Sequence, residues 1–449
     1  MKKYSRFNVH NVLITKKNTK HIDIMHEVFY NIVHQVNNIW RLAYTWERMV
    51  WKMDFEKFCR ENCVERRGTG TLKWDSLQEI FGDGDLLPLW VADMEIQSPS
   101  VVREALTERV KHGVFGYGKV EDEYFDSFFA WQKKHHGVEL ARENVRFATG
   151  VVGSLYAAVR AYTKEEASVI ICPPVYYPFY DAILNTGRKL VTCELDNDHG
   201  YYSLDFEKFE KEIIDNKVEM FILCSPHNPV SRVWSEEELD TMFSICRKHG
   251  VLVVSDEIHQ DFTYEGKPFV SSACVKDGGY KDILITLNSG SKTFNLAGLI
   301  HSHVIIFDGK LMEKYDAYIK GIGSPEVNLM GITGMGAAFR GGEEWLQDVK
   351  ALIRHNYDYM KQEFARELPE IIVTPLEGTY LSWIDLRSYV PGDETARFIQ
   401  DKCRLACDVG EWFSVMAQGY IRINLATDTK NIKTAVASII NNIKERLGE

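Results

Sequence analysis

From Val145 onward the chain repeats one alternation: a short run rich in Val and Ile, then a longer amphipathic stretch. The apolar runs are 145–148, 168–172, 189–193, 219–224, 251–255, 283–288 and 302–307, with helical stretches such as 205–215 and 235–248 between them. Such runs offer no polar face to water, so strands made of them must be buried on both sides. Strands joined by helices predict an α/β fold, a mostly parallel sheet covered by helices on both faces. After about 309 the chain reads as long helices, with charged faces around 343–366. Near the end, short strands (371–374, 380–385, 420–424) mix with helices (394–405, 429–446), which predicts a smaller α+β domain.

Residues 1–52 stand apart by charge. They hold nine Lys/Arg against three Asp/Glu, a net of +6, and leave −17 for the rest of the chain. Ile24, Val28, Ile32, Val36 and Ile39 recur at helical spacing, so an amphipathic helix over 23–40 is expected. A targeting presequence, a docking helix and an appendage outside the fold, ahead of an internal start at Met53, all fit a basic segment. Its Lys-rich character and single Ser suit a transit peptide poorly, and we take it as an appendage. The overall charge of −11 argues against nucleic-acid binding by broad charge attraction. No uncharged apolar run nears the roughly 18 residues of a membrane span. The nine cysteines are odd in number and scattered, which predicts reduced thiols in a cytoplasm.

Ligands of such sheets bind beyond the carboxyl ends of the strands. The first run is followed by Thr149-Gly150-Val151-Val152-Gly153-Ser154, a small-residue turn into a helix whose N–H groups suit a phosphate. It lacks the Lys of a nucleotide P-loop, and taken singly it is also an ordinary tight turn. Next come Tyr176 and Tyr177, aromatics able to stack on a flat ring or simply to pack in a loop. The loop Ser225-Pro226-His227-Asn228-Pro229 presents one amide. Ser255-Asp256-Glu257-Ile258-His259 ends a buried strand on a carboxylate, costly unless a cation meets it. Ser289-Gly290-Ser291-Lys292-Thr293-Phe294 brings an amine that can act as a nucleophile, although most lysines are solvated surface residues. Cys59/Cys63 and Cys403/Cys407 are each four apart, but no His or further Cys completes a zinc spacing, so no metal site is expected. His301 and His303 share one face of a strand and read as polar residues near the site rather than ligands.

The order of these signals along one sheet resembles the fold-type-I pyridoxal-phosphate enzymes of the aminotransferase class I/II superfamily. The run Ser289–Gly298 (SGSKTFNLAG) is similar to their lysine segment. Arg66-Arg67-Gly68-Thr69 with Lys73-Trp74-Asp75, Leu89-Trp90-Val91-Ala92-Asp93-Met94, Phe115-Gly116-Tyr117, Ser255–His259 and Arg422-Ile423-Asn424 resemble the MalY/PatB-type cysteine-S-conjugate β-lyase group. The resemblance covers about 54–449. It implies a large cofactor-binding domain at 98–338 and a small domain from 54–97 and 339–449.

The same resemblance implies roles. Lys292 carries pyridoxal phosphate through its aldehyde and takes the Cα proton. Asp256 faces the ring nitrogen, Asn228 the ring oxygen, and Tyr176 stacks on the ring. Val151, Val152, Ser289 and Ser291 hold the phosphate, with Tyr117 reaching it from the other subunit of a homodimer. Arg422, with Asn228 and Trp90, binds the amino-acid substrate, and Tyr117 or Tyr176 supplies a proton to the leaving group. His259 stands where many aminotransferases have Tyr, and Ile300 where aspartate aminotransferases have a phosphate-binding Arg. Both favour a C–S β-lyase releasing a thiol, pyruvate and ammonia. An aminotransferase is the first alternative, and a regulatory binding protein with lyase activity as a side role is the second.

Overall fold

The computed structural model describes residues 53–449 apart from 265 and 324–326. The expected helix over 23–40 and the separation of 1–52 from the fold lie outside the described residues.

Seven strands build the main sheet: β1 (Val145–Ala148), β2 (Ser168–Ile171), β3 (Lys189–Thr192), β4 (Val218–Cys224), β5 (Leu252–Asp256), β6 (Leu284–Asn288) and β7 (Ser302–Ile306). Their order across the sheet is β1-β7-β6-β5-β4-β2-β3. The run from β6 to β3 is parallel. Strand β7 runs antiparallel to both β1 and β6.

The two-residue period of a strand sends alternate side chains to opposite faces. In β4, Met220 and Ile222 pack with Leu155 and Val159 of helix α1 (Val151–Tyr162). Phe221 and Leu223 pack on the other face with Phe209 of α2 (Phe206–Asn216) and Phe243 of α3 (Glu236–Lys248). Both faces are therefore apolar, as the uniform runs require. The helix starts follow local chemistry: the Asp205 side chain accepts from the Lys208 N–H, and Ser235 with Glu238 forms a reciprocal capping box.

A second sheet is antiparallel, in the order β8 (Ile372–Val373), β9 (Leu381–Asp385), β11 (Tyr420–Asn424), β10 (Asp408–Val409). Leu352 and Met360 of α4 (Glu343–Glu367) and Ile432, Val436 and Ile439 of α5 (Thr429–Leu447) share a core with Ile384, Ile421 and Ile423 of that sheet. The helix expected over 394–405 is shorter: it runs Gly392–Arg397, widens into a π-helical turn over Phe398–Lys402, and gives way to extended chain at Leu405–Ala406. Leu405–Ala406 pairs in parallel with Leu87–Pro88, which ties the segment before Trp90 to this region.

Candidate active site

A cavity of about 340 Å³ opens beyond the carboxyl ends of β4, β5 and β6. Lys292, Asp256, Asn228, Tyr176, His259 and Ser291 all line it, together with Val151 and Val152 at the start of α1. Strand order predicted that the segments carrying these eight share one edge, and the family resemblance singled out the residues; the sheet converges them because parallel strands deliver all their carboxyl ends to one edge.

Lys292 sits on the single helical turn Gly290–Thr293, and its Nζ donates to the main-chain oxygen of Ala92 at 2.7 Å. Burial lowers its pKa to about 8, with Asp93 and Asp256 drawing it up and Arg422 pushing it down. The amine is thus partly unprotonated near neutral pH, the state a base or nucleophile needs. Asp256, 4% exposed, ends β5. Burial raises its carboxyl to about 7, even though the Ile258 N–H donates to Oδ1 at 3.1 Å and Lys292 lies within charge range. The carboxylate needs a cation, and the cavity is where one can reach it.

Val151 and Val152 open α1 behind Gly150, whose φ of +107° is glycine territory. Their N–H groups are among the helix's first and have no intrahelical acceptor, which makes an anion site. Ser291 faces the same cavity, but Ser289 does not line it. The Ser289 hydroxyl donates to the His301 main-chain oxygen at 2.6 Å and accepts from the Ser291 N–H at 3.0 Å, so it shapes the lysine turn. Ile300 lines the cavity with φ +46°, a strained conformation for a β-branched residue.

His259 is buried, and its Nδ1 has no partner among the described residues. Burial holds its pKa well below the usual value, with Lys292 and Arg422 adding to the effect, so the ring is neutral. His301 and His303 both meet the Tyr124 hydroxyl, at 2.7 and 2.6 Å. Burial lowers His301 to about 4. They form a neutral hydrogen-bonded cluster, and His301 lines the cavity.

Arg422 lies in the middle of β11, 2% exposed. It donates to Asn228 Oδ1 at 2.9 Å, to the Trp90 main-chain oxygen at 2.9 Å, and to Asp408. Among the described residues its Nε has no hydrogen-bond partner, nor has Asp408 Oδ1. Burial raises the Asp408 carboxyl to about 6 although Arg422 pulls it down. Trp90 does not line the lysine cavity. Its indole N–H donates to the Lys73 oxygen at 3.0 Å, and it contributes to a neighbouring cavity. Tyr117 is 90% exposed and does not line the lysine cavity.

The loop 90–96 is a part of the site to which the sequence assigned no role beyond Trp90. Buried Lys73 bonds Glu95 at 2.7 Å, and Arg66 holds Asp93 with two hydrogen bonds, at 2.8 and 2.7 Å. Asn424 donates to the main-chain oxygens of Val91 and Asp93, and the Tyr380 hydroxyl to that of Ala92 at 2.8 Å. The Arg66 and Lys73 segments thus clamp the loop that presents the Ala92 carbonyl to Lys292. Tyr380 and Asp408 carried no spacing signal, because each matters only through a partner far along the chain. Away from the cavity, ligand atoms of Cys59, Cys63 and Asp428 lie within 4.8 Å of one another.

Residues 86–439 match the family described as aminotransferase class I and II. The chain is 36% identical over 388 residues to cystathionine beta-lyase PatB of Bacillus subtilis (strain 168), spanning 86% of this chain and 99% of that protein. Among solved structures, cystalysin from Treponema denticola, which contains pyridoxal 5′-phosphate, superposes with a TM-score of 0.82 at 33% identity, covering 85% of this chain and 98% of that one. The PLP-bound C-S lyase from Staphylococcus hominis gives 0.81 at 31% identity, covering 87% and 98%. With residues 86–439, most of its length, matched by the family model, this chain belongs to the aminotransferase class I and II family.

Proposed function

We propose that the chain is a pyridoxal-phosphate-dependent carbon–sulfur β-lyase that cleaves L-cystathionine or other cysteine S-conjugates to a thiol, pyruvate and ammonia. The observation that carries this reading is the convergence of Lys292, Asp256 and the Arg422–Asn228 pair, in a chain that spans nearly all of a named cystathionine β-lyase.

The residues present fit the cofactor. Asp256 is a buried carboxylate with no ion-pair partner among the described residues, Lys292 acting on it only at longer range, and a protonated ring nitrogen would supply a direct one. The N–H groups of Val151 and Val152, with Ser291, suit the phosphate. Tyr176 would stack on the ring, and Asn228 and neutral His259 would border its oxygen. Bound pyridoxal phosphate supplies an electron sink for negative charge developing at the substrate Cα. Arg422 anchors the α-carboxylate, a bidentate task suited to guanidinium. Lys292, with its lowered pKa, takes the Cα proton. The thiolate then leaves Cβ, and Tyr176 or Tyr117 gives it a proton. Water completes the balance, so cystathionine yields homocysteine, pyruvate and ammonia.

We assign 98–338 to a large cofactor-binding domain, and 54–97 with 339–449 to a small one. The working unit in this reading is a homodimer in which Tyr117 of a second copy reaches the phosphate. All nine cysteines are free, which suits a reducing compartment such as the cytoplasm, and no helix of the described residues is long and apolar enough to cross a membrane.

The match to an aminotransferase family supports one alternative, transamination at the same lysine. Product analysis separates the two. With cystathionine alone, the holoenzyme is expected to release pyruvate, ammonia and homocysteine in equal amounts, and Lys292→Ala to release none. A requirement for 2-oxoglutarate, with glutamate formed, would make the enzyme an aminotransferase.

A further inference from the structure

A second cavity, of about 530 Å³, lies beside the substrate anchor. Trp90, Tyr177, Tyr180 and Trp412 give it aromatic walls, and Asp181 and Glu411 give it two carboxylates. Among the described residues no Lys or Arg lines it, and neither carboxylate has an ion-pair partner. We propose that this cavity binds the far end of the substrate's side chain and selects an ammonium group there.

Its position follows from shared walls. The Trp90 main-chain oxygen accepts from Arg422, whose guanidinium lies 4.9 Å from the centre of the Phe413 ring. Phe413 follows Trp412 in the chain and meets Tyr177 edge-on at 6.0 Å. Tyr177 in turn contacts Tyr176, a wall of the lysine cavity, with ring centres 5.2 Å apart. A substrate anchored by its carboxylate at Arg422 therefore lies near both cavities, whose walls meet at Tyr176 and Tyr177.

Its chemistry follows from the lining. Aromatic faces attract cations through their negative quadrupole and also accept an alkyl chain. The carboxylates add charge that nothing in the lining cancels, and Arg422 is already paired with Asp408. An S-substituent ending in ammonium gains both contacts. A neutral alkyl group gains only the walls, and an anionic one is repelled. The favoured class is therefore cysteine thioethers whose leaving thiol carries an amino group on a short chain. This deepens the lyase reading and rests on it.

The test uses the holoenzyme and two pairs of probes. S-(2-aminoethyl)-L-cysteine and S-ethyl-L-cysteine differ by the terminal amino group, and kcat/KM should favour the former roughly tenfold. L-Lysine and L-norleucine share these chain shapes without a sulfur to expel, and calorimetry should show lysine binding tighter by a similar factor. Combining Asp181→Asn with Glu411→Gln should lower both ratios severalfold, to the residual preference of the aromatic walls, while S-ethyl-L-cysteine is still cleaved. Ratios near one in the wild type, or ratios unchanged by the double substitution, overturn the proposal. If neither thioether is cleaved but lysine still binds tighter through Asp181 and Glu411, the cavity's selectivity stands and the lyase reading falls.

Discussion

Burial drives Lys292 and Asp256 toward each other's pKa, down to about 8 and up to about 7. Both sequence signals were weak singly, since a lysine or an acid has no meaning until its desolvation is known. Burial is a property of the folded neighbourhood. The Asp256 shift has a measurable sign. Its folded pKa lies above its usual 3.8, so the folded cofactor-free protein loses stability as the pH rises from about 4 to about 7. Above that range the cost is fully present, on the order of 2–4 kcal/mol. Cofactor-free Asp256→Asn cannot ionise there, so its melting temperature should equal wild type near pH 4 and exceed it at pH 8. A wild type as stable as the variant at pH 8 would contradict the buried, uncompensated carboxylate. Adding pyridoxal phosphate should stabilise wild type more than the variant, because the ring nitrogen supplies the missing cation.

Arg422 is as much a product of strand register as of residue type. In the antiparallel pairing of β10 and β11, Asp408 stands directly opposite Arg422. The sequence showed the arginine but not this partner, because β10 spans only Asp408–Val409, too little for a periodicity signal. Removing one member of a buried ion pair leaves the other uncompensated, at roughly 3–5 kcal/mol. Asp408→Ala should therefore lower the melting temperature and raise KM about tenfold with kcat little changed, because the guanidinium loses its alignment. Asp408→Asn, which keeps an acceptor but not the charge, should recover the KM more than the melting temperature, and steady-state kinetics with thermal melts decide it. Strand direction was equally hidden. A strand buried on both faces reads the same whichever way it runs, yet β7 is antiparallel. The link 289–301 holds only two short helical turns, Gly290–Thr293 and Ala297–Leu299, too little to return the chain to the far edge for a parallel crossover.

At the scale of the whole molecule, two features point beyond a single chain or beyond the described residues. Tyr117 is 90% exposed, with Val114 and Phe115 near 60%, so an aromatic turn stands in solvent in one chain. If it completes a second copy's site, Tyr117→Phe should impair turnover, and mixing it with inactive Lys292→Ala should restore part of the activity as subunits exchange. Native sizing should give a dimer, and a monomeric active enzyme would end this reading. The charge break before Met53 motivates the other test. A chain beginning at Met53 should keep its melting temperature within a few degrees and its kcat/KM within about twofold. A large loss in either would show that residues 1–52 support the fold.

The uniform apolar runs determined, without any coordinates, that a largely parallel sheet lies buried under helices, and strand order alone placed Lys292, Asp256, Asn228 and Tyr176 at one edge. These are local signals: each strand carries its own burial pattern and its own terminal residue. Ser289 shows the limit even there, because its neighbour Ser291 faces the cavity while its own hydroxyl is spent on the His301 backbone. Tertiary structure alone decided the clamp of Lys73 and Arg66 on the loop at Ala92, the pairing of Asp408 with Arg422, and the aromatic cavity formed by Trp90, Tyr177 and Trp412. Each joins residues far apart in the chain, and a contact between distant segments has no periodicity to read until the chain has folded.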